Sequence, residues 1–396
     1  MNAVRYGIIG IGNMGSAHAK ALFDNKIEGA VLAAVADADE ERRKWATDTF
    51  GDSVEVVCDY HKLLSPDKVD AVLIATPHYF HPVIAKEAFE AGLNVLSEKP
   101  AGVDAADVKL MNKAADKSGK AFGIMFNQRT NPLFGALKYY VEIGLLGEIK
   151  RFNWIISNWY RSQAYYDSAG WRATWNGEGG GVLLNQCPHN LDLWQWIMGV
   201  PEKVRAFCRQ GHFHRIGVED DVTIYAEYRS GTSATFITST GEYPGTNRLE
   251  ISGTMGKAVA EDGVLKLFLL NEDERDICFG SREAMPQEPV TEIVLNFVEK
   301  EDGHVLILKN FTNHLLNGEE LIAPGEDGIN SLRISNAAYM SSWIDETVDV
   351  PVSEKLFTGL LSEKKRREKA RRKKAESITK TDEADGEYSN RWSVRW

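Results

Sequence analysis

The sequence predicts an α/β protein in two parts: an N-terminal doubly wound parallel sheet, then an α+β domain built on a large open, mainly antiparallel sheet. Three observations predict it. Short apolar runs alternate with amphipathic helical stretches as far as residue 126. A glycine turn, GIIGIGNMG, stands directly after the first of those runs. Beyond Asn127 the rhythm changes to longer alternating segments separated by tight turns such as RSGT, the pattern of an antiparallel meander. The domains expected are 1–126, 127–352 and a polar, basic extension over 353–396.

Taken in order, strands are expected at Arg5–Ile9, Val31–Ala36, Ala71–Ala75, Asn94–Ser97 and Ala121–Ile124. Helical stretches at Ser16–Phe23, Glu40–Phe50, Pro82–Ala91 and Ala105–Ser118 separate them. Connections of that length return the chain for parallel pairing. The second domain opens on a helix near Pro132–Ile143. Strands follow at Lys150–Trp159, Val204–His212, Asp221–Tyr228, Ser233–Ser239 and Arg248–Gly253, with helices near His189–Met198 and Gly325–Asp345.

A chain of 396 residues is long enough for two cores, and 43% hydrophobic with 26% charged residues is an ordinary globular balance. No apolar run approaches the roughly 20 residues of a membrane helix. The start of the chain lacks a signal-peptide pattern. Cys58, Cys187, Cys208 and Cys278 are scattered without a CxxC pair, which suits reduced thiols in a cytoplasm. The net charge of −11 argues against a body that grips nucleic acid. From Lys364 to Lys374, however, KKRREKARRKK carries nine basic residues in eleven. That segment reads as a solvated helical extension, or as a tail for an anionic partner. The closing RWSVRW, with Trp392 and Trp396, is expected to dock on the body or on a neighbouring subunit.

The turn Gly10, Ile11, Gly12, Asn13, Met14, Gly15 has GxGxxG spacing between a strand and a helix. In that setting Gly10 makes the tight turn, Gly12 lets a pyrophosphate approach the backbone and Gly15 packs helix on strand. The helix N-terminus supplies N–H groups for the phosphates. Asp37 ends the second strand about 20 residues further on, where an acidic side chain binds ribose hydroxyls and repels a 2′-phosphate. It favours NAD over NADP, although a capping role before EERRKW is also open. The third strand runs into ATPHYFHP and the fourth into SEKP, so Lys99 lies at the ligand-binding edge of a parallel sheet or in a solvated turn.

A second constellation is GGGVLLNQCPH. Three glycines precede an apolar run and then Asn185 and His189; were the stretch helical, the spacing of four would put both on one face. Pro188 suits a first helical turn. A lone His near a helix start is structural or catalytic, and Asn185, Cys187 and His189 make only a weak metal site, so no metal is expected.

The glycine turn, ATPHYFH, SEKP and GGGVLLNQCPH, in this order, resemble the Gfo/Idh/MocA family over roughly Val4 to Val350. The resemblance implies a Rossmann domain followed by an open antiparallel sheet that mediates homo-oligomer contacts. It implies that Lys99 and His189 meet at a substrate hydroxyl, and that Thr76, Pro77, His81, Glu98 and Asn127 contact the cofactor. Trp171 and Arg172 are implied near the nicotinamide end. Two positions depart from the family: Asn185 stands where Asp is common, and Cys187 where Gly is usual. Asn orients an imidazole but does not stabilise imidazolium as a carboxylate does.

The expected reaction is hydride transfer between NAD and a secondary hydroxyl of a sugar, glycoside or cyclic polyol. His189 serves as base, Lys99 stabilises the reacting oxygen, and Asn185 orients His189 or binds a neighbouring hydroxyl. Tyr160, Trp171, Arg172 and Trp175 are expected to offer aromatic faces and a donor fork to a pyranose. The NQCPH form resembles relatives that oxidise glycosides at ring C3. An NAD-dependent glycoside lyase or hydrolase and a non-catalytic dinucleotide sensor are the rival readings. No nucleic acid or membrane partner is expected.

Overall fold

The computed structural model describes residues 3–298 and 301–375, with side chains to residue 369. The Trp392–Trp396 run lies outside the described residues. The described residues form two compact units: 3–130 with 177–179 and 301–332, and 131–176 with 180–298 and 333–375.

The first unit begins β1 (Val4–Ile9), α1 (Asn13–Phe23), β2 (Ala30–Ala36), α2 (Glu40–Phe50), β3 (Glu55–Val57), β4 (Ala71–Ile74), α3 (His81–Glu90), β5 (Asn94–Ser97), α4 (Ala105–Ser118) and β6 (Phe122–Ile124). The second contains α5 (Pro132–Glu142), β7 (Ile149–Ile156), α6 (Gln163–Asp167), α7 (Pro188–Met198), β8 (Lys203–Gln210), β9 (Glu219–Glu227), β10 (Ser233–Ser239), β11 (Asn247–Gly253), β12 (Gly256–Glu261), β13 (Val264–Leu270), α8 (Glu274–Gly280) and β14 (Val290–Asn296). Helix α9 (Gly303–Asn317) folds with the first unit, α10 (Gly328–Ile344) starts there, and β15 (Val348–Asp349) and α11 (Glu354–Ala375) belong to the second.

The first sheet has the order β3-β2-β1-β4-β5-β6, all parallel. Its central strands read as unbroken apolar runs because helices cover both faces, and all four residues of β4 are buried. Asp39 and Asp104 cap α2 and α4 by accepting from Glu41 N at 2.8 Å and Ala106 N at 2.9 Å. Helix α9 docks late in the chain: Phe311 is buried, and Thr312 hydrogen-bonds the Tyr6 hydroxyl at 2.8 Å.

The second sheet has the order β14-β13-β12-β11-β7-β10-β9-β8-β15. Only β7 and β10 pair in parallel; the other neighbours are antiparallel. Alternation decides the faces. Phe152, Trp154, Val222, Ile224, Ala234 and Phe236 point inward, while Ile155, Tyr225, Phe207 and Val294 lie on the exposed side. Trp194 of α7 stacks between Phe152 and Phe236, at centroid distances of 5.6 and 5.7 Å. Large aromatics on both sides of that contact bury much apolar area, which fixes α7 on the sheet.

Candidate active site

In the first unit, β1 lies between β2 and β4, so the chain order reverses there and the carboxyl ends of β1 and β4 open a crevice. The glycine turn occupies that edge. Gly10 has φ +87°, and a Cβ there would stand 2.8 Å from the Ala75 carbonyl. A Cβ on Gly15 would fall 1.8 Å from Gly10 O, whereas one on Gly12 would enter open space. The turn is thus closed behind and open in front, and the first turn of α1 has no side-chain cap. Asp37 follows β2 and accepts from Ile11 N at 2.8 Å and Asp39 N at 2.9 Å. It holds the turn as well as facing the same edge. Thr76 Oγ1 and Asn127 Oδ1 are buried with no hydrogen-bond partner among the described residues. Open backbone donors, a half-buried carboxylate and two such buried oxygens fit a bound dinucleotide at this edge.

Lys99 follows β5 at that same edge and is half-buried, so it is not a solvated turn. Behind it, Glu98 is 5% exposed and uses both oxygens: Oε1 accepts from His18 Nε2 at 2.7 Å, and Oε2 from the Lys99 backbone N–H at 3.1 Å. Burial opposes charge on Glu98, but the His18 hydrogen bond and charge, then His304 and Lys99, outweigh it and hold its pKa at about 2. An ionised carboxylate makes His18 Nε2 the donor. The His18 ring lies 5.7 Å from that of His304, whose Nδ1 is 3.1 Å from Asp302 and 3.4 Å from the Asn127 amide. The His304 hydrogen bond holds the Asp302 carboxyl well below the usual range.

Two nearby histidines brace backbone. His81 is 1% exposed, with Nδ1 2.8 Å from Pro100 O and Nε2 2.6 Å from Thr76 O. Burial lowers its pKa despite those carbonyls, so a neutral ring serves one at a time as donor. The role of His81 is therefore to tie the end of β4 to the end of β5; its ring nitrogens are engaged with protein. His78 Nδ1 lies 2.8 Å from Glu178 O, and burial pushes its pKa down to about 3. Pro77 leads into that turn.

In the second unit the GGG segment meets β9. A Cβ on Gly181 would fall 1.9 Å from Glu219 O, and one on Gly180 2.1 Å from the Tyr339 hydroxyl. Only glycine allows this approach. The Glu219 carboxylate accepts from Gly181 N at 2.9 Å, Leu183 N at 3.1 Å and Tyr339 OH at 2.6 Å. Burial outweighs these neutral donors and raises its pKa to about 7. Residues 182–186 are turns, closed by Asn185 N to Gly181 O at 3.0 Å, and α7 starts only at Pro188. Asn185 and His189 therefore do not share a helix face, a correction to the helical spacing. His189 is buried in the first turn of α7 and Asn185 is half-buried before it. Cys187 places its thiol 3.0 Å from the Thr238 hydroxyl, which occupies it with the sheet.

The aromatic residues divide. Tyr160 and Trp171 are 46% and 41% exposed. The Arg172 guanidinium lies 4.6 Å from the Tyr165 ring centroid and 4.8 Å from that of Trp171, and it donates to Tyr165 OH at 2.8 Å. Trp175 is different. It is 2% exposed, donates to Gly217 O at 2.8 Å and packs edge-on against Tyr339 and Trp343. It is core, not a face for a sugar, which corrects the expectation. Sequence reasoning also missed His18, Glu219 and Tyr165. His18 was within reach, since it lies three residues after Gly15 on the face of α1 turned to the sheet. Glu219 and Tyr165 carry no local signal.

Residues 4–126 match the model of an oxidoreductase family with an NAD-binding Rossmann fold, and residues 134–259 match the GFO/IDH/MocA C-terminal domain. The chain is 27% identical over 359 residues to the myo-inositol 2-dehydrogenase of Thermotoga maritima, covering 89% of this chain and 99% of that protein. It is 25% identical over 343 residues to the inositol 2-dehydrogenase of Rhizobium meliloti, covering 85% and 96%. The WlbA dehydrogenase of Bordetella pertussis, solved with NADH and UDP-GlcNAcA, superposes with a TM-score of 0.73 at 26% identity, covering 89% of this chain and all of that one.

Proposed function

The chain belongs to the Gfo/Idh/MocA family of NAD-dependent oxidoreductases, and from that premise we propose that it oxidises a secondary hydroxyl of a sugar, glycoside or cyclic polyol, with ring C3 as the reacting carbon. Bound NAD supplies the hydride acceptor. Gly10–Gly15 and Asp37 hold its pyrophosphate and adenosine ribose, and Thr76 and Asn127 offer their buried oxygens to it. As the hydride leaves carbon, His189 accepts the hydroxyl proton, and Lys99 donates a hydrogen bond to the oxygen that becomes the ketone. Glu98, anchored on His18, fixes the backbone from which Lys99 projects. Asn185 binds a neighbouring hydroxyl, and Tyr160, Trp171 and Arg172 form the wall against which a ring lies.

The observation that carries the reading is the half-buried Lys99, backed by a charged Glu98, at the same sheet edge as the open glycine turn. Relatives named for inositol, and one solved with a UDP-linked sugar, support a ring substrate. The exposed face of the nine-stranded sheet, with Ile155, Phe207 and Tyr225, supports a homo-oligomer. Among the described residues the four cysteines form no disulfide, and no helix is long and apolar enough to cross a membrane. The first of these supports a cytoplasmic location.

A panel of cyclic polyols, aldoses and methyl glycosides, assayed with NAD and with products identified, tests the proposal. The expected result is reduced cofactor and ring ketone in equal amounts. Aglycone released without net NADH would instead mark a lyase or hydrolase cycle, and cofactor binding without turnover a sensor.

A further inference from the structure

The basic extension contains one acidic residue between Lys364 and Lys374, Glu368, and the structure gives it a specific use. Phe357, Leu361, Lys364 and Glu368 recur at helical spacings of four, three and four, so they share one face of α11. That face docks within the second unit. Phe357 and Leu361 are buried, Phe357 stacks on Trp343 at 5.5 Å, and the Lys364 ammonium lies 5.4 Å from the Trp343 ring centroid.

One turn further along, the Glu368 carboxylate reaches the segment that carries Trp171 and Arg172. Its Oε1 accepts from Trp175 N at 2.9 Å, and its Oε2 from Asn176 N at 3.0 Å and Asn176 Nδ2 at 2.6 Å. The Lys365 carbonyl accepts a further bond from Asn176 Nδ2 at 3.0 Å. Two consecutive N–H groups and a side-chain amide are thus gripped by one carboxylate. On the other side, a Cβ on Gly217 would stand 3.2 Å from Glu368 Oε1, so the Gly217 loop also lies against the carboxylate.

The segment needs such a grip. Ala173 has φ +49°, a left-handed conformation that a side-chain-bearing residue rarely adopts and that persists only when its surroundings over-determine it. Trp175, two residues on, is buried as an anchor, and the Glu368 bonds begin at its backbone. Between anchor and solvent lie Arg172 and the half-exposed Trp171.

We infer that Glu368 is a positioning residue for substrate recognition: through the backbone of Trp175 and Asn176 it sets where Trp171 and Arg172 stand. This rests on the reading of Trp171 and Arg172 as the wall that receives a ring. Arg366, Arg367 and Lys369 are exposed, while Glu368 beside them attaches the helix to the site. The extension is then a part of the catalytic unit that the matched family domains, which end at residue 259, do not contain.

Two measurements test this. Hydrogen exchange on the full-length, ligand-free protein reads the clamp directly. Glu368→Ala should speed exchange of the Trp175 and Asn176 amides at least about tenfold, and Glu368→Gln, which keeps one carbonyl acceptor, should restore part of the protection. Steady-state kinetics, with myo-inositol as the first probe and otherwise the best substrate of the panel, reads the consequence. Glu368→Ala should raise KM for that substrate at least about fivefold, with kcat and the NAD dissociation constant within about twofold of wild type. Unchanged exchange would overturn the inference. So would faster exchange with an unchanged KM, if Arg172→Ala does raise KM. If Arg172→Ala and Trp171→Ala also leave KM unchanged, the inference falls because the wall itself has been misassigned.

Discussion

Each unit of this protein buries a glutamate beside residues proposed for the site, and the two behave in opposite ways. Glu98 and Glu219 are 5% and 1% exposed, and both accept bonds from neighbouring groups. Yet Glu98 is held at a pKa of about 2, and Glu219 is raised to about 7. Desolvation is the largest influence on both and pushes both upward. What differs is the partner. Glu98 faces an imidazole, with a second imidazole and an ammonium nearby; Glu219 faces backbone N–H groups and a phenol. Neutral dipoles satisfy hydrogen-bond geometry but return less of the lost hydration energy than opposite charge does. One carboxylate is therefore a fixed charge next to Lys99, and the other a proton-sharing anchor under the GGG loop.

The largest expected effect is from removing the buried charge of Glu98. Glu98→Gln leaves His18 facing an amide in a buried site and should destabilise the fold by about 3 kcal/mol at neutral pH, read from urea unfolding. The sign with pH follows from the lowered pKa: the Glu98 contribution is present above the unfolded glutamate value near 4.3 and fades as pH falls toward 2. An unfolding midpoint equal to that of wild type would show that the Glu98 charge does not stabilise the fold.

Glu219 should give the opposite slope. Its pKa is raised, so the folded state holds a proton that the unfolded chain releases. Its contribution is present below about pH 4.3 and is lost as pH rises through 7, a decline of about 3 kcal/mol across that window. Glu219→Gln, neutral throughout, should flatten that decline in a thermal-unfolding series from pH 5 to 8. If variant and wild type run parallel, Glu219 is ionised in the fold and the contrast with Glu98 disappears.

Lys99 is where the charged site meets chemistry. Lys99→Met keeps the stem and removes the donors, and turnover should fall at least about a hundredfold, or about 2.7 kcal/mol, with the unfolding midpoint little changed. Near-normal kcat would return the residue to a structural role. Asp37 gives the smallest effect. Like Glu219 it accepts backbone N–H groups, but it stands half-buried at the edge of the site. Asp37→Ala should narrow the kcat/KM preference for NAD over NADP about tenfold, or 1.4 kcal/mol. Because Asp37 also holds Ile11 N, affinity for both cofactors should drop, and the ratio is the quantity to compare.

Much of the first unit was legible because its signals are local. Apolar runs of strand length, amphipathic stretches between them, the GxGxxG turn and an acid after β2 each depend on residues close in sequence. The order of motifs through SEKP and GGGVLLNQCPH was enough to indicate the family. What stayed hidden depends on residues far apart in the chain. Helix α9 joins the first unit from residue 303 onward. Trp175 is taken into the core by Tyr339 and Trp343. Asn185 lies in a turn because Glu219, 34 residues later, holds Gly181 and Leu183. The charge state of a carboxylate is the clearest case. In the sequence Glu98, Glu219 and Glu368 are the same residue; tertiary structure sets them apart, because desolvation and the charge of the partner depend on everything packed around the group and not on its neighbours along the chain.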